Sequence, residues 1–204
     1  MSEDVYTEED YTDTLQEVMN IALGRAGKML AGILDIFVII SVPRVRFTTS
    51  DGVITNVSAL LDSTTDLSAL SQSFSKDLKG EAVALFEPKS LFDLSELTGR
   101  AAIDENSQLG LLKEITSVLV GTLMEGVSEI LDRELELSEP KVLNHCADIS
   151  DILSPDRIEW SHAFLTEINF SLEDRNFKCH IFMFVTENTI EALYQSLDTI
   201  MEEM

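Results

Sequence analysis

Cysteine is scarce in this sequence, and its scarcity excludes several kinds of protein. Cys146 and Cys179 are the only two cysteines, too few for a disulfide framework or a zinc site. Cys179 lies in an apolar run typical of a strand, which predicts a buried free thiol in a reducing compartment.

Long apolar stretches are missing as well. The N-terminal segment MSEDVYTEED is acidic and lacks the apolar stretch of a secretory signal. The most apolar window, 29–42, contains Asp35 and is followed by Pro43, so it is too short and too interrupted to span a bilayer. These absences predict a cytoplasmic protein that does not insert into a membrane.

Basic residues are few. Lys and Arg number 14 against 37 Asp and Glu, which gives a formal net charge of −23. A field of that sign disfavours nucleic acids and anionic membrane surfaces as partners, and it favours proteins that offer cationic groups. The densest acidic cluster, at 3–10, suits the N-terminus of a helix, where the helix dipole stabilises negative charge.

Motifs for metals, nucleotides and covalent chemistry are weak. His145, His162 and His180 are isolated and lack metal-ligand spacing. The segment Gly-Arg-Ala-Gly-Lys at 24–28 lacks the preceding strand and the following Ser or Thr of a phosphate-binding loop. Cys146 follows His145, but adjacent residues rarely form a nucleophile–base pair. We therefore expect the chain to carry no metal ion or cofactor of its own.

What the sequence has instead is an internal repeat. Glu-Val-Met-Asn at 17–20 is similar to Glu-Ile-Thr-Ser at 114–117, at an offset of 97 residues (114 − 17 = 97). Pro43 and Pro140 stand in similar text, Ser-Val-Pro-Arg-Val and Ser-Glu-Pro-Lys-Val, at the same offset. A repeat of this length indicates two halves with one ground plan.

The apolar periodicity predicts a similar order in each half: a long helix, a strand, a short helix, two strands and a final helix. The predicted elements are 8–34, 36–42, 53–61, 67–74, 81–86 and 89–98, then 106–133, 134–137, 149–153, 158–170, 177–186 and 188–201. This order is typical of an α+β fold with a mostly antiparallel sheet. We predict a single domain of two pseudo-symmetric halves, about 8–98 and 105–204.

Each long helix shows a stripe of core residues at helical period. The predicted stripes are Leu15, Val18, Ala22, Met29 and Leu30, and Leu111, Ile115, Val118, Leu119 and Thr122. Gly24 and Gly27 lower the helix propensity of the first helix, so they predict close packing there.

Beside the first core stripe, Asp13, Glu17 and Asn20 are spaced by four and three residues, which places them on one exposed helix face. A carboxylate can form an ion pair with a cationic side chain of a partner. A carboxamide holds a donor and an acceptor and can orient a water molecule without titrating. Hydrolysis of a phosphoryl group needs such positioning, and a glutamine serves that role in GTPases. A solvated acidic face would explain the same residues without any function.

These residues resemble the signature of the CheC-type chemotaxis phosphatases, a family that includes CheC, CheX and FliY. The signature is Asp or Ser, three residues, Glu, two residues, Asn, twenty-two residues and Pro. Asp13, Glu17, Asn20 and Pro43 meet every position, since the gap before Pro43 is 43 − 20 − 1 = 22 residues. The resemblance extends over nearly the whole chain.

The resemblance implies a CheC-like fold and a hydrolase that removes phosphate from the aspartyl-phosphate of a CheY-like response regulator in two-component signalling. In that family the Glu contacts a lysine of the receiver domain and the Asn orients the attacking water, while the receiver binds Mg²⁺. Carried over, Glu17 docks the receiver and Asn20 positions the water. Some members bind the receptor deamidase CheD, so CheD is a further expected partner.

The second copy departs from the signature. Gly110 takes the first position, Glu114 and Pro140 are kept, and Ser117 replaces Asn. A serine hydroxyl is shorter than a carboxamide and cannot present the same donor–acceptor pair. We predict a degenerate second site, which either docks a partner through Glu114 or still holds a water through Ser117.

Other interpretations remain open. Flagellar-switch relatives of the family keep the scaffold but lack the Glu and the Asn, so a non-catalytic adaptor that binds a response regulator or CheD is the alternative. Electrostatics near the helix N-terminus explain Asp13 as well as the signature does. Pro43 and Pro140 are assigned structural roles.

Overall fold

The computed structural model describes residues 6–34, 38–41, 44–59, 61, 66–87, 105–153, 162–167, 170–172 and 179–203. Within these ranges there are five helices: α1 (Glu8–Leu34), α2 (Ser50–Ser58), α3 (Glu105–Leu131), α4 (Ile149–Ile152) and α5 (Glu187–Glu203). The described strands are β1 (Val38–Ile40), β2 (Arg44–Thr49), β3 (Leu67–Lys76), β4 (Gly80–Phe86), β5 (Leu135–Leu137), β6 (Lys141–Ala147), β7 (His162–Glu167), β8 (Phe170–Leu172) and β9 (Cys179–Val185).

The start of α1 is fixed by a reciprocal cap. Thr7 accepts a hydrogen bond from the backbone N–H of Asp10 at 3.3 Å, and the Asp10 carboxylate accepts bonds from the Thr7 N–H and hydroxyl at 2.7 and 2.6 Å. These bonds satisfy donors that a helix start leaves unpaired. They also hold the pKa of the Asp10 carboxyl below its usual range. The acidic first turn therefore stabilises the helix, as the sequence predicted.

Seven strands form one antiparallel sheet between two layers of helices. The strand order is β2-β7-β9-β4-β3, after which both β5 and β6 pair with β3. Ala82, Ala84 and Phe86 of β4 face the core under α1, α3 and α5, while Val83 and Leu85 face a second core under α2 and α4. Because both faces are covered, β4 and β9 are almost continuously apolar rather than alternating.

The sheet interleaves strands from both halves of the sequence. β2 of the first half pairs with β7 of the second, and β6 of the second half pairs with β3 of the first. The halves meet at the centre, where β4 lies antiparallel to β9 with Val83 opposite Phe182. The order is the same when read from either edge with the halves exchanged, which is the predicted pseudo-two-fold arrangement of an α+β fold.

The two long helices pack against each other in antiparallel directions. The start of α1 and the residues just after α3 both contact α5: the Tyr11 hydroxyl donates to Asp198 at 2.7 Å, and the Arg133 Nε donates to Ser196 at 2.8 Å. At the crossing, Gly126 lies so close to Ala22 that an added Cβ would come within 2.7 Å of the Ala22 Cβ. Glycine is required there because no larger side chain fits between the helices.

The sequence did not predict β2 and β6, and each of these strands begins directly after a proline. Pro43 was assigned to the end of a strand, but β2 begins directly after it, at Arg44, and β6 begins directly after Pro140. Proline is tolerated before the first residue of a strand because its missing N–H interrupts no ladder there. The predicted strand 158–170 was also wrong as one element, since β7 pairs with β9 while β8 pairs with β1 in a separate sheet.

Several details of the predicted core differ from the structure. Met29 is 50% exposed rather than buried, Val118 is half-buried, and a Cβ added at Gly24 would meet no atom within 4 Å. Gly27 does pack closely, against Ile40 of β1. The side chain of Leu30, the predicted helix 89–98 and Pro43 lie outside the described residues. None of the helices in the described ranges is long and apolar enough to cross a membrane.

Candidate functional site

The three side chains singled out on the first helix share its solvent-exposed face. Asp13, Glu17 and Asn20 are exposed on α1, while Val18 and Met19 between them are buried against α3 and the sheet. The local sequence produces this split because apolar and polar residues alternate at helical period. The predicted exposed stripe beside the core is therefore present.

Glu17 and Asn20 are neighbours one helical turn apart. Residues three apart on a helix place their Cβ atoms roughly 5–6 Å from each other. Within the described part of the chain, neither side chain makes a hydrogen bond or an ion pair. A carboxylate acceptor and a carboxamide with one donor and one acceptor group are thus both available to a partner from outside.

The helix that carries this pair is held rigidly. Close packing at Ala22 and Gly126 fixes the middle of α1 on α3, and the Tyr11 ring stacks on Tyr194 of α5 at a centroid distance of 4.2 Å. The hydrogen bond between Tyr11 and Asp198 fixes the first turns as well, and it raises the pKa of Tyr11 to about 12. A site on such a helix is preorganised, because its backbone has little freedom to lose on binding.

The second set of residues forms a separate surface on α3. Gly110, Glu114 and Ser117 are all exposed. Because the helices are antiparallel, Ser117 lies nine residues before the crossing at Gly126 (126 − 117 = 9), about 13 Å along the helix axis. Asn20 lies next to the crossing, so the two motifs do not converge on one site.

The structure places the remaining predicted residues as follows. Pro140 lies immediately before β6 and is half-buried, whereas Pro43 lies outside the described residues. Cys179 is a buried free thiol, and burial raises its pKa. A thiol in that state is a poor nucleophile, which agrees with a structural role.

His180 is buried in the core and bonded to the carboxylate of Glu87 at 3.2 Å. The pair links the ends of β4 and β9, so it serves the central strand contact rather than a surface site. The side chains of His145, Cys146 and His162 lie outside the described residues. Among the side chains that are described, no group of three or more His, Cys, Asp or Glu is arranged to hold a metal ion.

Sequence reasoning missed two further residues on the same exposed face. Ile21, directly after Asn20, is 46% exposed, and Gly24 is exposed one turn farther along α1. The repeat contains the signal that would have found them, because Val118 and Gly121 follow Ser117 at the same spacing.

A cleft of about 410 Å³ lies elsewhere, between the end of α3 and α5, lined by Asp132, Arg133, Ser196 and Glu203 among others. It lies at the far end of α3 from Ser117 and includes none of the motif residues. The motif residues stand on a convex helix surface, which suits a macromolecular partner better than a small ligand.

Comparison by sequence finds no match: no protein-family model and no curated protein matches the chain. Comparison by structure does find matches. FliY from Thermotoga maritima superposes with a TM-score of 0.73 at 20% identity, over 96% of this chain and 98% of FliY. The FliM middle domain from Vibrio alginolyticus superposes with a TM-score of 0.65 at 14% identity, over 90% of this chain and 99% of that domain.

A CheC-like superfamily protein from Shewanella is also similar, with a TM-score of 0.52 and 14% identity over 82% of this chain and 96% of that protein. At these identities the likeness establishes the fold. It covers most of each chain and includes proteins named for chemotaxis. The chain has the CheC-like fold, as the resemblance of its motif to the family signature implied.

Proposed function

We propose that this protein is a phosphatase that hydrolyses the aspartyl-phosphate of a CheY-like receiver domain, with Glu17 and Asn20 as its working residues. The observation that carries the proposal is the exposed, unpartnered pair of Glu17 and Asn20 on a rigid helix of a CheC-like fold. A solvated acidic face does not by itself account for an asparagine in mid-helix, where it is a poor helix former.

In the proposed reaction, Asn20 holds a water molecule in line with the bond between phosphorus and the aspartate oxygen. The carboxamide oxygen accepts a hydrogen bond from the water, which turns a lone pair of the water toward phosphorus. A bond forms between water oxygen and phosphorus, the bond to the aspartate oxygen breaks, and the electron pair stays on the aspartate. The water proton passes to a phosphate oxygen or to solvent, so the products are inorganic phosphate and free aspartate.

Asn20 does not titrate, so it contributes positioning rather than proton abstraction. Phosphoryl transfer tolerates this because its transition state is loose and needs little activation of the nucleophile. Glu17, one turn away, supplies a negative charge for a lysine of the receiver, which aligns the receiver on α1. Mg²⁺ in this scheme belongs to the receiver, whose phosphate oxygens it neutralises.

The test is to mix the protein with a phosphorylated CheY-type receiver and to follow the loss of phosphate. We expect the wild type to accelerate the decay and Asn20→Ala to lose most of the acceleration, by about 100-fold, the usual effect of removing one well-placed polar group. We expect Glu17→Ala to raise KM chiefly, since Glu17 contributes docking.

Asn188→Ala is a matched control, because Asn188 is an exposed asparagine on α5 away from the motif. It should retain wild-type activity. If the wild type leaves the receiver's own decay unchanged, the enzymatic proposal is refuted. If Ser117→Ala reduces activity as strongly as Asn20→Ala, the assignment of the main site to α1 is wrong.

An adaptor function is the second candidate, favoured by the structural likeness to FliM middle domains and by the serine in the second motif. In that case the protein would bind a response regulator or a CheD deamidase without hydrolysis. Binding of the phosphorylated receiver with no change in its rate of decay would support the adaptor over the phosphatase.

A further inference from the structure

The two long helices carry six glycines, which fall into two groups that differ in what surrounds them. A Cβ at Gly126 would meet the backbone of Ala22, and a Cβ at Gly27 would meet Ile40, so packing inside the protein explains both. A Cβ at Gly24, Gly32, Gly110 or Gly121 would meet no atom within 4 Å. Glycine is the least favourable residue in a helix interior apart from proline, so nothing in the fold accounts for this second group.

Two of these four glycines, Gly24 and Gly121, stand at equivalent positions of the repeat. Gly24 and Gly121 are 97 residues apart (121 − 24 = 97), the same offset as Glu17 and Glu114. Gly32 and Gly110 offer a contrast, because each also has open space around it but has a charged residue at its equivalent position, Glu129 and Asp13 respectively. The shared pattern is Glu, two residues, Asn or Ser, Ile or Val, two residues, Gly.

Ile21 is the apolar member of this pattern. It is 46% exposed and belongs to neither hydrophobic core. Met29, the other exposed large apolar residue among those described, accepts a hydrogen bond from the Thr122 hydroxyl through its sulfur at 3.2 Å, so it is engaged with α3. Ile21 lies beside Asn20 and one turn from Glu17, which makes it continuous with the proposed site.

We propose that Ile21 and Gly24 complete the docking surface for the phosphorylated receiver, with Ile21 as the apolar anchor and Gly24 as the point where the receiver lies closest to the α1 backbone. This inference rests on the proposed function. A water held by Asn20 can reach phosphorus only if the receiver segments beside the phosphoaspartate contact α1 within a turn of Asn20. Gly24 lies one turn beyond Asn20, and because glycine has no side chain, the receiver has room to approach the α1 backbone there.

Charge fixes which way the receiver lies. The exposed face of α1 carries Asp13 and Glu17 before Asn20, and Arg25 and Lys28 after it. Both side chains are exposed, and Arg25 is ion-paired with Glu129. The cationic group of the receiver therefore faces the Glu17 side, and its acidic, phosphate-bearing side faces Gly24 and Lys28.

The same surface on α3 keeps Glu114, Val118 and Gly121 but has Ser117 at the catalytic position. It retains the same residue types for docking, although Val118 and Gly121 are half-buried where Ile21 and Gly24 are exposed, and it lacks the carboxamide. The α3 surface is thus a receiver-docking site without hydrolysis, and each chain takes up two receivers, one of which is dephosphorylated.

The test compares Gly24→Ala with Gly32→Ala. Both changes add one methyl group to open space on the same helix, so both should raise the melting temperature. Only Gly24→Ala should weaken the affinity for a receiver held in its active state by beryllofluoride, by about tenfold or more, and only it should raise KM for hydrolysis. Ile21→Ser should weaken the affinity similarly with little change in kcat.

Binding to the beryllofluoride-activated receiver separates the two proposals, because it needs no hydrolysis. If the wild type binds and hydrolyses but Gly24→Ala and Gly32→Ala bind alike, the docking inference is wrong and the phosphatase stands. If the wild type binds and does not hydrolyse, the affinities of the variants still decide the docking inference. A receiver that does not bind at all overturns both. A stoichiometry of one receiver per chain overturns the assignment of the α3 surface.

Discussion

Asn20 and Ser117 occupy equivalent places on α1 and α3, and their side chains differ in length. A carboxamide extends farther from the helix than a hydroxymethyl group and presents donor and acceptor at a fixed separation. Glu114 and Gly121 around Ser117 match Glu17 and Gly24 around Asn20. Within the Glu-x-x-Asn pair that carries the proposed chemistry, Asn20 against Ser117 is therefore the difference between the two surfaces.

Ser117→Asn should create a second working site. In an Asn20→Ala background, which has lost the first site, the added change should recover a large part of the lost hydrolysis, within about tenfold of wild type. Rates of receiver dephosphorylation measured for the two variants test this. A double variant that is folded and binds the receiver but remains as slow as Asn20→Ala would contradict the prediction.

The hydrogen bond between Tyr11 and Asp198 makes the stability of the protein depend on pH in the alkaline range. It raises the pKa of Tyr11 from 10.0 to about 12, because the bond and the nearby carboxylate favour the protonated phenol. The folded state then holds the proton more tightly than the unfolded state. This contribution to stability is complete below pH 10 and is lost as the pH rises toward 12.

Alkaline unfolding, monitored by circular dichroism, should therefore shift in Tyr11→Phe. The variant should be less stable than wild type at neutral pH by about 1 kcal/mol, the usual value of one hydrogen bond. The difference should shrink above pH 10, and the contribution of Tyr11 to the tyrosinate absorbance near pH 12 should be missing, while Tyr194, whose pKa is raised by burial, keeps its own contribution. An unchanged late absorbance would show that Tyr11 is not bonded to Asp198.

The sequence predicted the exposure of Glu17 and Asn20 because helical period separates polar from apolar faces. It did not predict the exposure of Met29, because periodicity does not tell where a helix leaves the contact with its neighbour. It also predicted close packing at both Gly24 and Gly27, although only Gly27 is closely packed. The difference depends on which residues of other elements lie opposite each glycine, and the local sequence does not contain that information. Whether Glu17 and Asn20 are catalytic stays a prediction.

At the scale of elements, the contact between α1 and α3 depends on small residues at the crossing. Each helix has 27 residues, or about 40 Å, so a displacement at one point moves the long exposed faces relative to each other. Ala22 of α1 and Gly126 of α3 permit the close approach, and Ala22 lies two residues after Asn20.

Gly126→Ala should destabilise the protein by about 1–3 kcal/mol, although alanine is the better helix former, because the new methyl group would overlap Ala22. Denaturant unfolding measures the change, and Gly24→Ala is the opposite case, a stabilising substitution on the facing helix. Equal effects of the two substitutions on stability would mean that the helices do not touch at Gly126.

Element boundaries were predictable where periodicity runs long and failed where it is short. α1, α3 and α5 begin and end within a few residues of their predicted limits. β2 and β6 were missed because they are sheet-edge strands directly after proline positions, and their sequences, such as Arg-Val-Arg-Phe, mix charged and apolar residues. The pairing of β8 with β1 depends on long-range contacts that no local pattern encodes.

At the scale of the whole molecule, the two halves are joined by backbone pairing rather than by contact of finished surfaces. β2 lies against β7 of the other half, and β6 lies against β3. Either half alone would leave edge strands without their partners and the apolar faces of β4 or β9 uncovered. Unpaired apolar edges of this kind favour aggregation.

We predict that segments 1–104 and 105–204, produced separately, do not fold, and that a mixture of the two regains the circular dichroism and cooperative unfolding of the intact chain. A covalent link is then unnecessary for the sheet, while both segments are. A cooperative melting transition in either segment alone would show that the halves are independent units, against the single domain predicted from the repeat.

The interleaved sheet also bears on how the two surfaces can diverge over time. Each described strand pairs with a strand of the other half, so a substitution in one strand alters the packing of both halves. The strands of the two halves are therefore constrained together. Positions such as Asn20 and Ser117 project outward from this framework and are exempt from that constraint. One copy can therefore exchange its outward-facing side chains without disturbing the sheet that both halves share.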